Sequence, residues 1–212
     1  MSAPAYLVPA ERIQRELEVS RSRFIARLAP VSNVEEARAF IAEMRQKYAK
    51  ASHNVPAYLI GGGNTVSDFC SDDGEPSGTA GRPALAVLHG SGLGDVAVVI
   101  TRYFGGTLLG KGGLVKAYTE ATQMVVKDVR RARRQLVHVA MLAVPYNLLE
   151  RVRLLVSNYQ GGILDESFAV DVTMTVRFPV ETMDSFQEDL TELSAGTLET
   201  EMIETTEMLL PI

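Results

Sequence analysis

Three carboxylates stand within four residues at Asp72, Asp73 and Glu75, inside the run SDDGEPSGTAGRP over residues 71–83. Oxygens at such spacing are what a hard divalent cation takes, and two of them could divide acid and base roles. The calcium-loop spacing is absent, and the run holds no histidine and no nucleophile. Its Asp-Gly, Glu-Pro and Ser-Gly pairs form turns readily. A structural loop or binding surface, with Ser77 and Arg82 among its polar groups and Thr79 capping the helix that follows, is therefore preferred over chemistry. If a metal is held anywhere, Asp72, Asp73 and Glu75 hold it; no cofactor is expected.

A second run, residues 102–114, reads RYFGGTLLGKGGL. From Gly105 to Lys111 it satisfies G-x-x-x-x-G-K, between an expected strand and an expected helix, the setting a phosphate-binding loop needs. Gly112 stands where that loop requires Ser or Thr for magnesium. What survives is an anion site made by helix-start amides beside Lys111. The alternative is that Gly105, Gly106, Gly110, Gly112 and Gly113 mark backbone positions that only glycine fits, Gly112 among them.

The remaining candidates are weaker. His53, His89 and His138 lack metal-ligand spacing; His53, beside Asn54 at a strand entrance, is the best placed of the three. The single cysteine, Cys70, adjoins the acidic run, where carboxylates disfavour its thiolate. Arg130, Arg131, Arg133 and Arg134 form a basic linker suited to phosphates, although cations at a helix end also complement its dipole. Tyr103, Phe104 and Tyr118 are the available stacking groups in a chain without tryptophan.

Patterning supplies the elements that hold these groups. Residues 23–28 alternate as a half-buried strand, and Ser32-Asn33 offers a cap for a helix with Ala37, Phe40, Ile41 and Met44 on one face. Residues 55–60 and 96–104 read as strands, the second so continuously apolar that it belongs at the centre of a sheet. Helices are expected over 79–88 and 113–129. Beyond the arginines the order is strand 135–144, helix 145–159, hairpin strands 163–168 and 172–178, helix 181–193 and a last strand to about 209. That βαββαβ order is ferredoxin-like.

The 212 residues give a net charge of −5, and hydrophobic types make up 46%. Such composition excludes wholesale disorder, and no apolar stretch approaches the roughly 20 residues of a membrane span. Residues 1–134 carry 18 Lys and Arg against 13 Asp and Glu, a balance of +5; residues 135–212 carry 3 against 13, a balance of −10. Two modules with different surfaces are implied, and the basic one suits polyanions. No secretory leader is visible, so a cytoplasmic location is expected.

The phrases DDGEPSGTAGRP and TRYFGGTLLGKGGLVKAY, with Ser22-Arg23-Phe24-Ile25 and His53-Asn54-Val55-Pro56-Ala57-Tyr58, resemble the IMPACT family. The resemblance implies an α+β protein: residues 1–132 as an IMPACT N-terminal domain of ribosomal protein S5 domain 2-like fold, and residues 133–212 as a ferredoxin-like domain akin to elongation-factor domain V. It marks both runs, through Tyr118, as family-motif positions and names no catalytic residue; the placing of both loops beside neighbouring elements of one sheet makes them one candidate binding surface. Eukaryotic relatives act in translational control. The implied function is thus a non-enzymatic binding protein contacting RNA, the ribosome or a translation-associated protein. The alternative is an enzyme with a divalent-cation and phosphate site between the two runs.

Overall fold

The computed structural model describes residues 5–62 and 66–212. These residues form two units, one of residues 5–134 with 209–212 and one of residues 135–208.

The first unit contains β1 (Tyr6–Pro9), β2 (Ile13–Val19), β3 (Ser22–Pro30), α1 (Val34–Lys47), β4 (His53–Ile60), β5 (Ser67–Cys70), α2 (Gly81–Gly90), β6 (Val96–Tyr103) and α3 (Gly110–Asp128). Its main sheet runs β2-β3-β6-β4-β5, with every neighbouring pair antiparallel. β6 is central, and its unbroken apolar run has a simple cause. Val96, Val98 and Ile100 enter the core shared with α2 and α3, while Ala97 and Val99 face the smaller cluster under α1. Alternate side chains leave a strand on opposite faces, so a sheet covered on both sides needs apolar residues at every position.

α1 starts where expected. Asn33 Oδ1 accepts the Glu36 amide at 2.8 Å, and the Glu36 carboxylate accepts the Ser32 amide at 2.7 Å, a reciprocal cap. Three strands, β1, β2 and β5, had no clear sequence signal. β2 alternates exposed and half-buried residues, and β5 is largely exposed. These two are the edge strands of the main sheet, whose outer faces carry polar residues.

The second unit is built on β7 (Arg131–Val144), which starts in the first unit and is followed by α4 (Leu149–Asn158), β8 (Gly162–Phe168), β9 (Val172–Pro179), α5 (Met183–Leu193) and β10 (Glu201–Pro211). β8-β9-β7 are neighbours in that order, and β10 also pairs with β7. This is the ferredoxin-like arrangement. Val152 and Val156 of α4 and Phe186 and Leu190 of α5 close the core over Leu142, Met174 and Phe178. The fold is therefore α+β, an N-terminal domain followed by a C-terminal one. Among the described residues, no helix is long and apolar enough to cross a membrane.

Candidate functional site

The acidic loop closes through its own sequence. Asp73 and Gly74 both take positive φ (46° and 88°), and the Glu75 amide donates to the Asp72 carbonyl at 3.0 Å. Asp-Gly is suited to two such residues in a row. The turn sends the three carboxylates in different directions, and all three meet donors.

Asp72 caps α2 from a distance. Its Oδ1 accepts the amides of Ala80 and Gly81 at 3.0 and 2.9 Å, and its Oδ2 accepts that of Gly78 at 2.8 Å. Burial opposes the charge, but the Gly78, Gly81 and Ala80 amides outweigh it and hold the Asp72 pKa below its ordinary value. Thr79 does not cap the helix as the sequence indicated. It sits one residue early, and its hydroxyl donates to the Pro76 carbonyl at 2.6 Å.

Asp73 ties the loop to β4 and α1. Its Oδ2 accepts the Asn54 amide and its Oδ1 the Arg45 guanidinium, each at 2.7 Å. Its carbonyl lies 2.8 Å from His53 Nδ1. A carbonyl only accepts, so Nδ1 carries the proton there and Nε2 faces Glu75, 3.8 Å away.

Glu75 is the buried centre. Its Oε1 accepts from Arg102 Nη1 at 2.7 Å and from the Tyr118 hydroxyl at 2.8 Å. Arg102, at the end of β6, lies over the rings of Phe24 and Phe104, its guanidinium carbon 5.4 and 5.6 Å from their centroids. Burial, then the neighbouring Glu75 charge, pushes the Tyr118 phenol far above its ordinary pKa, so it stays a neutral donor. Ser22 Oγ accepts Gly105 N at 3.2 Å and Arg102 Nη2 at 3.4 Å, joining the glycine loop to the same knot. Here glycine is obligatory, because a Cβ on Gly105 would overlap the Arg21 carbonyl.

The sequence-derived candidates therefore separate. His53, Asp73, Glu75, Arg102, Gly105 and Tyr118 converge, while Ser77, Arg82, Gly106, Gly110, Lys111 and Gly112 are exposed. Tyr103 and Gly113 are half-buried. Tyr118 is fully buried and edge-on to Phe24 at 5.3 Å, which removes it as a stacking group; Phe104 stays 49% exposed.

One alternative loses its ligands and three expectations need correction. Asp72, Asp73 and Glu75 do not form a cation site: their oxygens are committed to amides, guanidinium groups and a phenol, and among the described residues no group of three His, Cys, Asp or Glu is placed to hold a metal ion. Gly112 is not a close-approach glycine, since a Cβ there would meet open space. The glycines from Gly110 to Gly113 form the first turn of α3 rather than a loop before it. Residues 131–134 are not an irregular linker, although the division between the two units falls directly after them. Arg131–Arg134 are strand, pairing with β1, Arg130 bonds Glu11 at 2.7 and 2.8 Å, and Arg134 sits 3.2 Å from Asp95 and 3.0 Å from Ser32 Oγ.

Sequence reasoning missed Arg45, Asn54 as an organiser of the loop, and the buried Asp95. Asp95, directly after Gly94, takes φ 49° and anchors Tyr6 and Gly61. Cys70 is disfavoured as a thiolate first by burial and then by Asp72.

Comparison with known proteins identifies the relatives of this chain. The Impact N-terminal domain matches residues 20–126, which contain both motif loops, and a domain of unknown function (DUF1949) matches residues 142–197. The IMPACT family member YigZ of Escherichia coli is 35% identical over 201 residues, covering 94% of this chain and 98% of that one. Protein IMPACT of Bos taurus is 38% identical over 94 residues, covering 42% of this chain and 29% of its own. A crystal structure described as that of a hypothetical protein shares 35% identity at a TM-score of 0.63, covering 96% and 98% of the two chains. On its matched domains and its near-complete relatives, the chain belongs to the IMPACT family.

Proposed function

We propose that the protein is a non-enzymatic regulator of translation in the cytoplasm, acting by contact with the ribosome, its RNA or a translation factor. Family membership supplies the translational setting, since the motif resemblance implies translational control for the eukaryotic members. One structural observation carries the binding reading. The motif carboxylates are committed to partners within the fold, Glu75 buried and Asp72 and Asp73 half-buried, while the adjoining glycine loop turns outward, with Phe104 49% and Leu108 87% exposed and Lys111 following.

That loop is pinned. The Phe104 amide donates to Ser52 Oγ and the Gly105 amide to Ser22 Oγ, each at 3.2 Å. Large apolar side chains on a pre-ordered loop lose little freedom on binding, which favours a contact surface. Acid–base or metal chemistry gains no such support, because the groups it needs already have partners.

The test is co-sedimentation with ribosomal particles and purified translation factors at low salt, using wild type and Leu108→Asp. Wild type should co-sediment and Leu108→Asp should not, at an unchanged melting temperature. If RNA phosphates supply the contact, affinity falls steeply with salt. Absence of any association at low salt, or equal association by Leu108→Asp, defeats the proposal.

A further inference from the structure

A cleft of 320 Å³ opens between α1 and the β4–β5 edge of the main sheet, away from the glycine loop in sequence. Its floor is aromatic. Tyr58 and Phe69 are direct cross-strand partners, stacked with centroids 5.3 Å apart and ring planes 24° from parallel. Tyr58 is buried, whereas Phe69 on the edge strand is 42% exposed. The wall is one stripe of α1, where Arg38, Ile41 and Arg45 recur at helical spacing. Pro56 adds a further apolar side.

The charges are arranged unequally. Arg45 is fixed by Asp73 of the motif loop at 2.7 Å, yet remains 50% exposed. Arg38, two helical turns earlier, is exposed and has no carboxylate partner among the described residues. The cleft thus combines a half-open aromatic face with a net positive rim. A purely apolar ligand would leave the guanidinium groups unused, and a simple anion would leave the aromatic floor unused. A flat aromatic group carrying a phosphate uses both. The volume, near the lower end of the roughly 300–1,000 Å³ of small-molecule sites, suits a single such unit.

We propose that this cleft is a binding site for one nucleotide unit, its base stacked on Phe69 and its phosphate held by Arg38, with Arg45 positioned beside it by Asp73. The unit belongs to single-stranded RNA or to a free nucleotide, which share this chemistry. The proposal does not depend on the translational reading, because neither Leu108 nor Lys111 takes part.

Fluorescence anisotropy with a labelled single-stranded RNA and calorimetry with AMP, UMP and inorganic phosphate test it at low salt, on wild type, Phe69→Leu and Arg38→Gln. Phe69→Leu keeps apolar bulk on the edge strand but removes the π face, and Arg38 is exposed, so both variants should keep the wild-type melting temperature. Stacking worth about 1–3 kcal/mol per base makes a loss on the order of tenfold the expected result for Phe69→Leu, with a comparable loss for Arg38→Gln. Binding of RNA alone identifies a strand site, and binding of mononucleotides identifies a free-nucleotide site. The proposal is overturned by no binding of either, by inorganic phosphate competing as well as AMP, or by Phe69→Leu and Arg38→Gln binding like wild type. Loss of this binding with ribosome association intact would separate the cleft from the Leu108 surface.

Discussion

Arg102 Nη1 lies 2.7 Å from Glu75 Oε1, with 6% and 3% of the two side chains exposed. One end of the pair belongs to the acidic loop and the other to the central strand. The motif that looks most like chemistry is thus held by an ion pair inside the fold. Removing one member of a buried pair strands the other charge, which costs about 3–5 kcal/mol. Glu75→Ala should lower the stability of the first unit by that order. Tyr118→Phe removes one hydrogen bond to a charged acceptor and should cost about 1.5–3 kcal/mol. Urea unfolding followed by circular dichroism measures both, and a Glu75→Ala variant as stable as wild type would contradict the buried-pair assignment.

The glycines make an opposite pair of predictions. Gly105→Ala drives a Cβ into the Arg21 carbonyl, and overpacking against backbone should cost at least about 1–3 kcal/mol. Gly112→Ala points into open space within the first turn of α3, so replacing glycine in a helix should stabilise by about 0.5–1 kcal/mol. Thermal melts of the two variants decide the matter. A Gly112→Ala variant that melts below wild type would restore the close-approach reading of that position.

These contrasts show where sequence was informative. The apolar continuity of residues 96–100 indicated a central strand because both faces of β6 are covered, and the Asn33 cap was legible because its partner lies three residues away. Local chemistry reads locally. The Asp72 cap did not, because its carboxylate lies six to nine residues from the amides it serves. Nor did the Glu75–Arg102–Tyr118 knot, in which Arg102 and Tyr118 are 27 and 43 residues from Glu75. The composition of the acidic run was visible, but the partners its carboxylates take depended on tertiary contacts that periodicity does not encode.

Asp72 gives a pH prediction with a definite sign. Its folded pKa lies below its ordinary value, which is about 3.9 in an unfolded chain. Its contribution is therefore complete above that value and is lost as pH falls through the lower, folded one. Asp72→Ala should cost about 0.5–2 kcal/mol at pH 7, the usual range for a lost N-cap. The difference between wild type and Asp72→Ala should shrink as the pH is taken from about 5 towards about 2. A difference that grows on acidification would show that Asp72 is not held as a charged cap.

The arginines at residues 130–134 divide by burial. Asp95 has only 2% of its side chain exposed beside Arg134, and its oxygens accept the Gly61 amide and the Tyr6 hydroxyl, each at 2.7 Å. Asp95→Ala leaves those donors and the Arg134 guanidinium without this acceptor, a loss of about 3–5 kcal/mol for a buried charge partner. Arg130 and Glu11 bond on the open surface, where solvent and salt screen the pair. Arg130→Ala should leave the unfolding curve unchanged within error. If these arginines formed a phosphate-binding linker, Arg130→Ala would instead weaken RNA binding and reduce its salt dependence. Urea unfolding and RNA titrations at several salt concentrations on Asp95→Ala and Arg130→Ala distinguish the two roles. The structural role requires a large stability loss for Asp95→Ala alone, and an unaltered RNA salt slope for Arg130→Ala.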